Sequence, residues 1–76
     1  MYLGYMNTQC EELFDFIVGK AKEKGFSWGR SDVKFSINRP YIIFGNRRQL
    51  FMTGNPSPSY GKKMSVEKCL EFLKEV

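Results

Sequence analysis

Tyr41-Ile42-Ile43-Phe44 is apolar on both sides of an extended backbone. Side chains alternate across a strand, so Ile42 and Phe44 point one way and Tyr41 and Ile43 the other. A sheet with one wet face carries polar residues at alternate positions, and this stretch carries none. Leu50 and Met52 against Phe51 repeat the pattern. Whatever sheet these strands build needs cover on both faces. The chain has 76 residues to supply it, which is one small domain burying only about 60% of its unfolded surface. Cover for the second face is expected either from the N-terminal Met1–Met6 segment or from another subunit, so a homo-oligomer is expected.

Two amphipathic helices flank the strands. Cys10, Leu13, Phe14, Ile17, Val18 and Ala21 recur at helical spacing and form one stripe. Thr8-Gln9-Cys10-Glu11 fits a capping box in front of it. Gly25 closes it behind Lys20, Lys22 and Lys24, cations suited to a helix C-terminus. A first helix is expected over residues 9–24, with Gly19 either allowing close packing or merely tolerated. Ser65 reads as the N-cap of a second helix over 66–75, with Met64 stapled onto Cys69 and a stripe of Val66, Cys69, Leu70 and Leu73. Phe16 and Phe72 lie off the stripes.

Between the helices, Val33, Phe35 and Ile37 alternate with Lys34 and Ser36, as in a half-buried strand. Strands are further expected at 41–44 and 48–53, joined where Gly45-Asn46 supplies left-handed conformations. Residues 54–63 read as a turn-rich loop. The expected fold is α+β in the order α-β-β-β-α: a three-stranded antiparallel sheet with two helices packed on one face.

Charge is uneven. The chain holds 12 Lys+Arg against 8 Asp+Glu, net +4. Residues 30–63 carry seven cations (Arg30, Lys34, Arg39, Arg47, Arg48, Lys62, Lys63) against Asp32 alone. The two ends are balanced, each at −1. The middle is thus suited to attract an anion.

Much chemistry is excluded. Without histidine, no Ser-His-Asp or Cys-His arrangement can be built. Two cysteines, Cys10 and Cys69, are too few for a disulfide framework and leave no zinc site. They are expected as reduced core hydrophobes, with a single Cys10–Cys69 bridge as the alternative. Gly61-Lys62-Lys63 is not a Walker loop: Pro56 stands where its first glycine belongs, and Lys63 where Ser or Thr belongs. Met1–Met6 lacks the basic start and apolar run of a signal peptide. No apolar run approaches the roughly 20 residues of a membrane helix. A soluble, cytosolic, non-enzymatic protein without metal or cofactor is expected.

The remaining candidates are ligand-binding. Ser57, Ser59, Tyr60, Lys62 and Lys63 lead into the N-terminus of the second helix, where free amides favour anions. Arg47 and Arg48 suit phosphate through their planar forks. Trp28 and Tyr60 are the residues to stack on a base, Trp28 also reading as core that closes the first helix onto the sheet.

Lys24-Gly25-Phe26-Ser27-Trp28, the strand Tyr41-Ile42-Ile43-Phe44, the basic hairpin and the run Lys62 to Ser65 opening a short last helix occur here in sequence. This order resembles that of short bacteriophage accessory proteins of unknown or host-antagonising role. The resemblance transfers no functional residue. It implies a phage origin, action in the host bacterial cytoplasm, and binding rather than turnover. The expected function is to antagonise host defence by sequestering an anionic nucleotide signal as a homo-oligomer, through Arg47, Arg48, Lys62 and Lys63 for phosphates and Trp28 or Tyr60 for the base. The alternatives are a protein–protein inhibitor that lays its aromatic sheet face on a host protein, and a small basic DNA- or RNA-binding protein.

Overall fold

The computed structural model describes residues 1–29 and 33–76. Arg30 and Asp32, counted above in the charge of the middle stretch, lie outside the described residues. The elements are β1 (Tyr2–Asn7), α1 (Glu11–Glu23), β2 (Tyr41–Gly45), β3 (Leu50–Thr53), a 3-10 turn at Pro58–Tyr60, β4 (Lys62–Lys63) and α2 (Val66–Glu75). The class is α+β with two helices, as expected. The sheet differs: it has four strands, is mixed, and runs β3-β2-β1-β4. β2 pairs antiparallel with both β1 and β3, while β4 lies parallel to β1.

β1 is the main correction. The N-terminal segment does not roof the sheet but is one of its two inner strands. A bulge between Tyr2 and Gly4 breaks its alternation. Gly4 holds a core-side position because a Cβ there would meet the Lys62 carbonyl at 2.9 Å and the Met64 methyl at 3.0 Å. Met6 beyond it is buried.

Residues 33–37 form no strand. Both flanks of β2 are filled by β1 and β3, and the outer edge of β3 is bridged by Ser27, which donates to the Arg48 carbonyl at 2.9 Å and accepts from the Leu50 amide at 2.8 Å. The stretch instead runs as a strap. Val33 and Phe35 drop against the core, Phe35 edge-on to Phe14, and Ile37 is 79% exposed.

Both helices pack on one face, as expected. Phe14, Ile17, Val18 and Ala21 of α1 and Cys69 and Leu73 of α2 share one core with Met6, Ile42, Phe44, Leu50 and Phe26. Phe72 joins it against Phe26 and Phe44. Of the three helix ends for which the sequence gives a signal, two follow it. The Ser65 hydroxyl accepts from the Lys68 amide, capping α2. Gly25, at φ 89°, closes α1 with the Gly25 amide on Lys22 and the Phe26 amide on Ala21, a Schellman arrangement. At the start of α1 the expected capping box is absent. Thr8 is fully buried and donates its hydroxyl to the Pro40 carbonyl at 2.7 Å, tying the end of β1 to the start of β2. The N-cap position falls to Cys10, which makes no side-chain cap. Cys10 is therefore exposed rather than core, Cys69 is buried as expected, and both are free thiols.

The β2–β3 turn also differs. Neither Gly45 nor Asn46 is left-handed; Arg48 is, at φ 59°. The Arg48 amide donates to Gly45, and the Gly45 amide to Gln49. This is a three-residue loop ending in a left-handed position, so β3 begins at Leu50 rather than at Arg48.

Candidate functional site

The sheet face turned away from the helices is built by the second set of alternating residues. Tyr5, Ile43 and Phe51 are register partners across β1, β2 and β3, and Tyr41 lies two residues from Ile43 on the same side. The bulge after Tyr2 returns that residue to this face, where its ring meets Phe51 edge-on at 5.8 Å. The 3-10 turn brings Tyr60 to the other side of Tyr2, at 5.0 Å. Tyr5 and Tyr41 form a second edge-on pair at 6.0 Å. Ile43 faces outward here yet is only 3% exposed, because it lies among these rings.

All four tyrosines of the chain are on this face, each half-buried. Of the seven phenylalanines only Phe51 joins them. Five pack in or against the core, and Phe16 lies exposed on α1. Tyr and Phe differ by one hydroxyl, so this partition sorts aromatics by contact with water. Among the described residues no side-chain hydrogen bond involves a tyrosine.

Charge is partitioned too. Every described carboxylate side chain sits on α1 or α2, behind the sheet. The edges of the tyrosine face carry cations: Lys63, register partner of Tyr5 on β4; Arg47 in the β2–β3 turn; and Arg39, two residues before Tyr41. The face is thus aromatic in the middle and positive at the rim.

The residues singled out from the sequence do not converge on one pocket. Tyr60 is on the face. Lys62 and Lys63 are exposed on the β4 edge, separated from the β2–β3 turn by β1 and β2. Arg47 is exposed in that turn. Arg48 is engaged structurally: its Nη1 donates to the Lys24 carbonyl at 2.6 Å and its guanidinium lies 5.7 Å from the Phe26 ring centre, which caps the negative end of α1. Trp28 stacks on Phe14 at 5.9 Å and packs against the core. Ser57 and Ser59 bond to each other. Sequence reasoning missed Tyr2, Tyr5 and Phe51 as site residues.

A cleft of about 340 Å³ lies between the helices, lined by Phe16, Lys20, Glu23, Lys24, Leu70, Leu73 and Lys74. Its lysines fall in the last turns of α1 and α2 or just past them, where they offset the helix dipoles. Among the described residues no three His, Cys, Asp or Glu side chains are grouped as metal ligands, and no helix is long and apolar enough to cross a membrane. Comparison with protein-family models, curated proteins and solved structures finds no match to this chain.

Proposed function

We propose that the protein is a non-enzymatic binding module that takes nucleotide-bearing anions on its tyrosine face. One observation carries this reading: the four tyrosines share an open sheet face edged with cations, while the described carboxylates lie behind the sheet. Aromatic rings stack on bases regardless of base identity, and a positive rim holds phosphate. Two sources present that chemistry, a free nucleotide signal and a single-stranded nucleic acid. A free nucleotide needs a concave site that buries most of its surface, so for that source a second copy closing over the face would supply the missing wall. The resemblance to phage accessory proteins gives such binding its purpose, antagonism of a host response in the bacterial cytoplasm. That part of the reading rests on the resemblance alone.

A second reading uses the same face as the contact surface of a host-protein inhibitor. Rings that interlock edge to face around an apolar Ile43, with Leu3 40% exposed nearby, match the aromatic centres of protein interfaces.

The test is fluorescence anisotropy and thermal shift at low and high salt, with AMP, GMP, a cyclic dinucleotide and an oligothymidylate. Light scattering is recorded with and without each. Saturable, salt-weakened binding that Tyr60→Ala reduces and Lys22→Ala does not is the expected result. No binding to any of these probes at low salt overturns the proposal and leaves the face to the inhibitor reading.

A further inference from the structure

Resting on that reading, we infer that the ligand is an extended single strand, held as consecutive bases along the row Tyr60–Tyr2–Phe51, with its phosphates met by Lys63 at one end and Arg47 at the other. The row crosses the sheet from the β4 side to the β3 side. Its steps are 5.0 Å from Tyr60 to Tyr2 and 5.8 Å from Tyr2 to Phe51. Tyr2 stands at 86° to Tyr60 and 82° to Phe51. A ring set at right angles to both neighbours shares a plane with neither, so Tyr60 and Phe51 offer separate stacking positions rather than one continuous surface. One base occupies one position, so a mononucleotide leaves the other empty. Successive bases of a strand occupy both and separate around Tyr2. Four strands are spaced over roughly 14 Å, and sheets of this width hold two or three bases.

The rim agrees with the row. Lys63 is in register with Tyr5 on β4, next to the strand that carries Tyr2, and Arg47 follows Gly45, the register partner of Tyr2. The two cations thus flank the strand that carries Tyr2, Lys63 on β4 to one side and Arg47 in the β2–β3 turn to the other, beside the path of a backbone that crosses the strands. A compact ligand on one ring reaches one end only. A duplex keeps its bases paired and offers no exposed ring faces to stack.

The experiment is a length series on the full chain: TMP, dTpdT, dT4, dT8, a cyclic dinucleotide and a dT8·dA8 duplex, measured by anisotropy or competition at fixed salt. Phe51→Leu and Tyr60→Leu keep apolar bulk and remove the ring face; circular dichroism and melting establish that they fold. Affinity is expected to rise at least about fivefold from TMP to dTpdT, the lower end of a stacking contribution per base, and to level off near dT4. The duplex is expected to bind more weakly than dT8, and each Leu variant to lose the gain from the second base. TMP binding as tightly as dT4, or the cyclic dinucleotide binding more tightly than dT4, overturns the single-strand inference while base-and-phosphate binding stands. Binding of dT8 that both folded Leu variants leave unchanged, or no binding at all, overturns both.

Discussion

Gly19 sits inside α1 with nothing within 4 Å of where a Cβ would be. Its place is tolerated, not required for packing. Gly19→Ala should stabilise the fold by up to about 1 kcal/mol, raising the melting temperature by roughly 4–8 °C for a domain of this size; calorimetry reads it directly. Cys69 is the opposite case. Burial pushes its thiol from 9.0 up to about 12. The folded chain therefore keeps a proton that the unfolded chain releases above about pH 9. Between those values the unfolded state binds fewer protons, so this group's effect on stability is flat below the window and falls as pH rises through it. Denaturant midpoints from pH 8 to 11 should decline less steeply in Cys69→Ala than in the parent. A thiol reagent should label exposed Cys10 in the native protein and Cys69 only on unfolding. Arg48 shows how a residue's apparent role changes once its surroundings are known. It reads as a phosphate ligand by type, but its guanidinium is committed to the end of α1.

At the scale of elements, Gly61 is the joint that links the turn carrying Tyr60 to β4. It has φ 92°, and a Cβ there would lie 2.9 Å from the Gly4 nitrogen. Gly61→Ala should cost about 1–3 kcal/mol, because φ 92° with ψ −152° is a backbone conformation open essentially to glycine alone, and should displace the turn that carries Tyr60. Urea denaturation should show the loss of stability, and oligothymidylate binding should fall with it. The helices were legible in the sequence because each apolar stripe has one end signal that holds: Ser65 caps α2 and Gly25 stops α1. β2 and β3 were legible from their branched and aromatic residues. β1 was not, because a glycine on the core side and a bulge at Leu3 remove the period of two by which a strand is recognised. The segment 33–37 misled in the converse way. Its alternation is real, since Val33 and Phe35 turn inward, but backbone pairing needs a free neighbour and the flanks of β2 were taken. Tyr60, Arg47 and Lys63 were singled out from residue type and charge, and the fold sets them on or beside the tyrosine face. Tyr2, Tyr5 and Phe51 were missed because their shared face exists only once β1 is placed. The available signal was the separation of tyrosines from phenylalanines among the strands and helices.

On the scale of the whole molecule, the sheet side and the helix side differ in charge. The two helices and Lys24, just past the end of α1, together carry five lysines against seven acids, while the other described residues carry six cations and no acidic side chain, with Arg39, Arg47 and Lys63 among them at the rim of the tyrosine face. On the proposed reading, this difference turns an anionic polymer toward the cation-rimmed face before contact. Binding of oligothymidylate should weaken with salt, and each phosphate-contacting cation contributes about 0.7 to the slope of log K against log salt for a single strand. Lys63→Ala should lower the slope by about that amount, and Lys22→Ala should leave it unchanged; titrations between 50 and 200 mM salt, in the range where such slopes are read, distinguish them. The placement of β1 has a consequence for how the molecule is made. This inner strand takes its hydrogen-bonding partners from residues 41–45 on one side and 62–63 on the other. Both of its edges close through contacts far apart along the chain, so loop-closure entropy is lost before this strand gains any pairing, and the sheet should form more slowly than one built from adjacent hairpins.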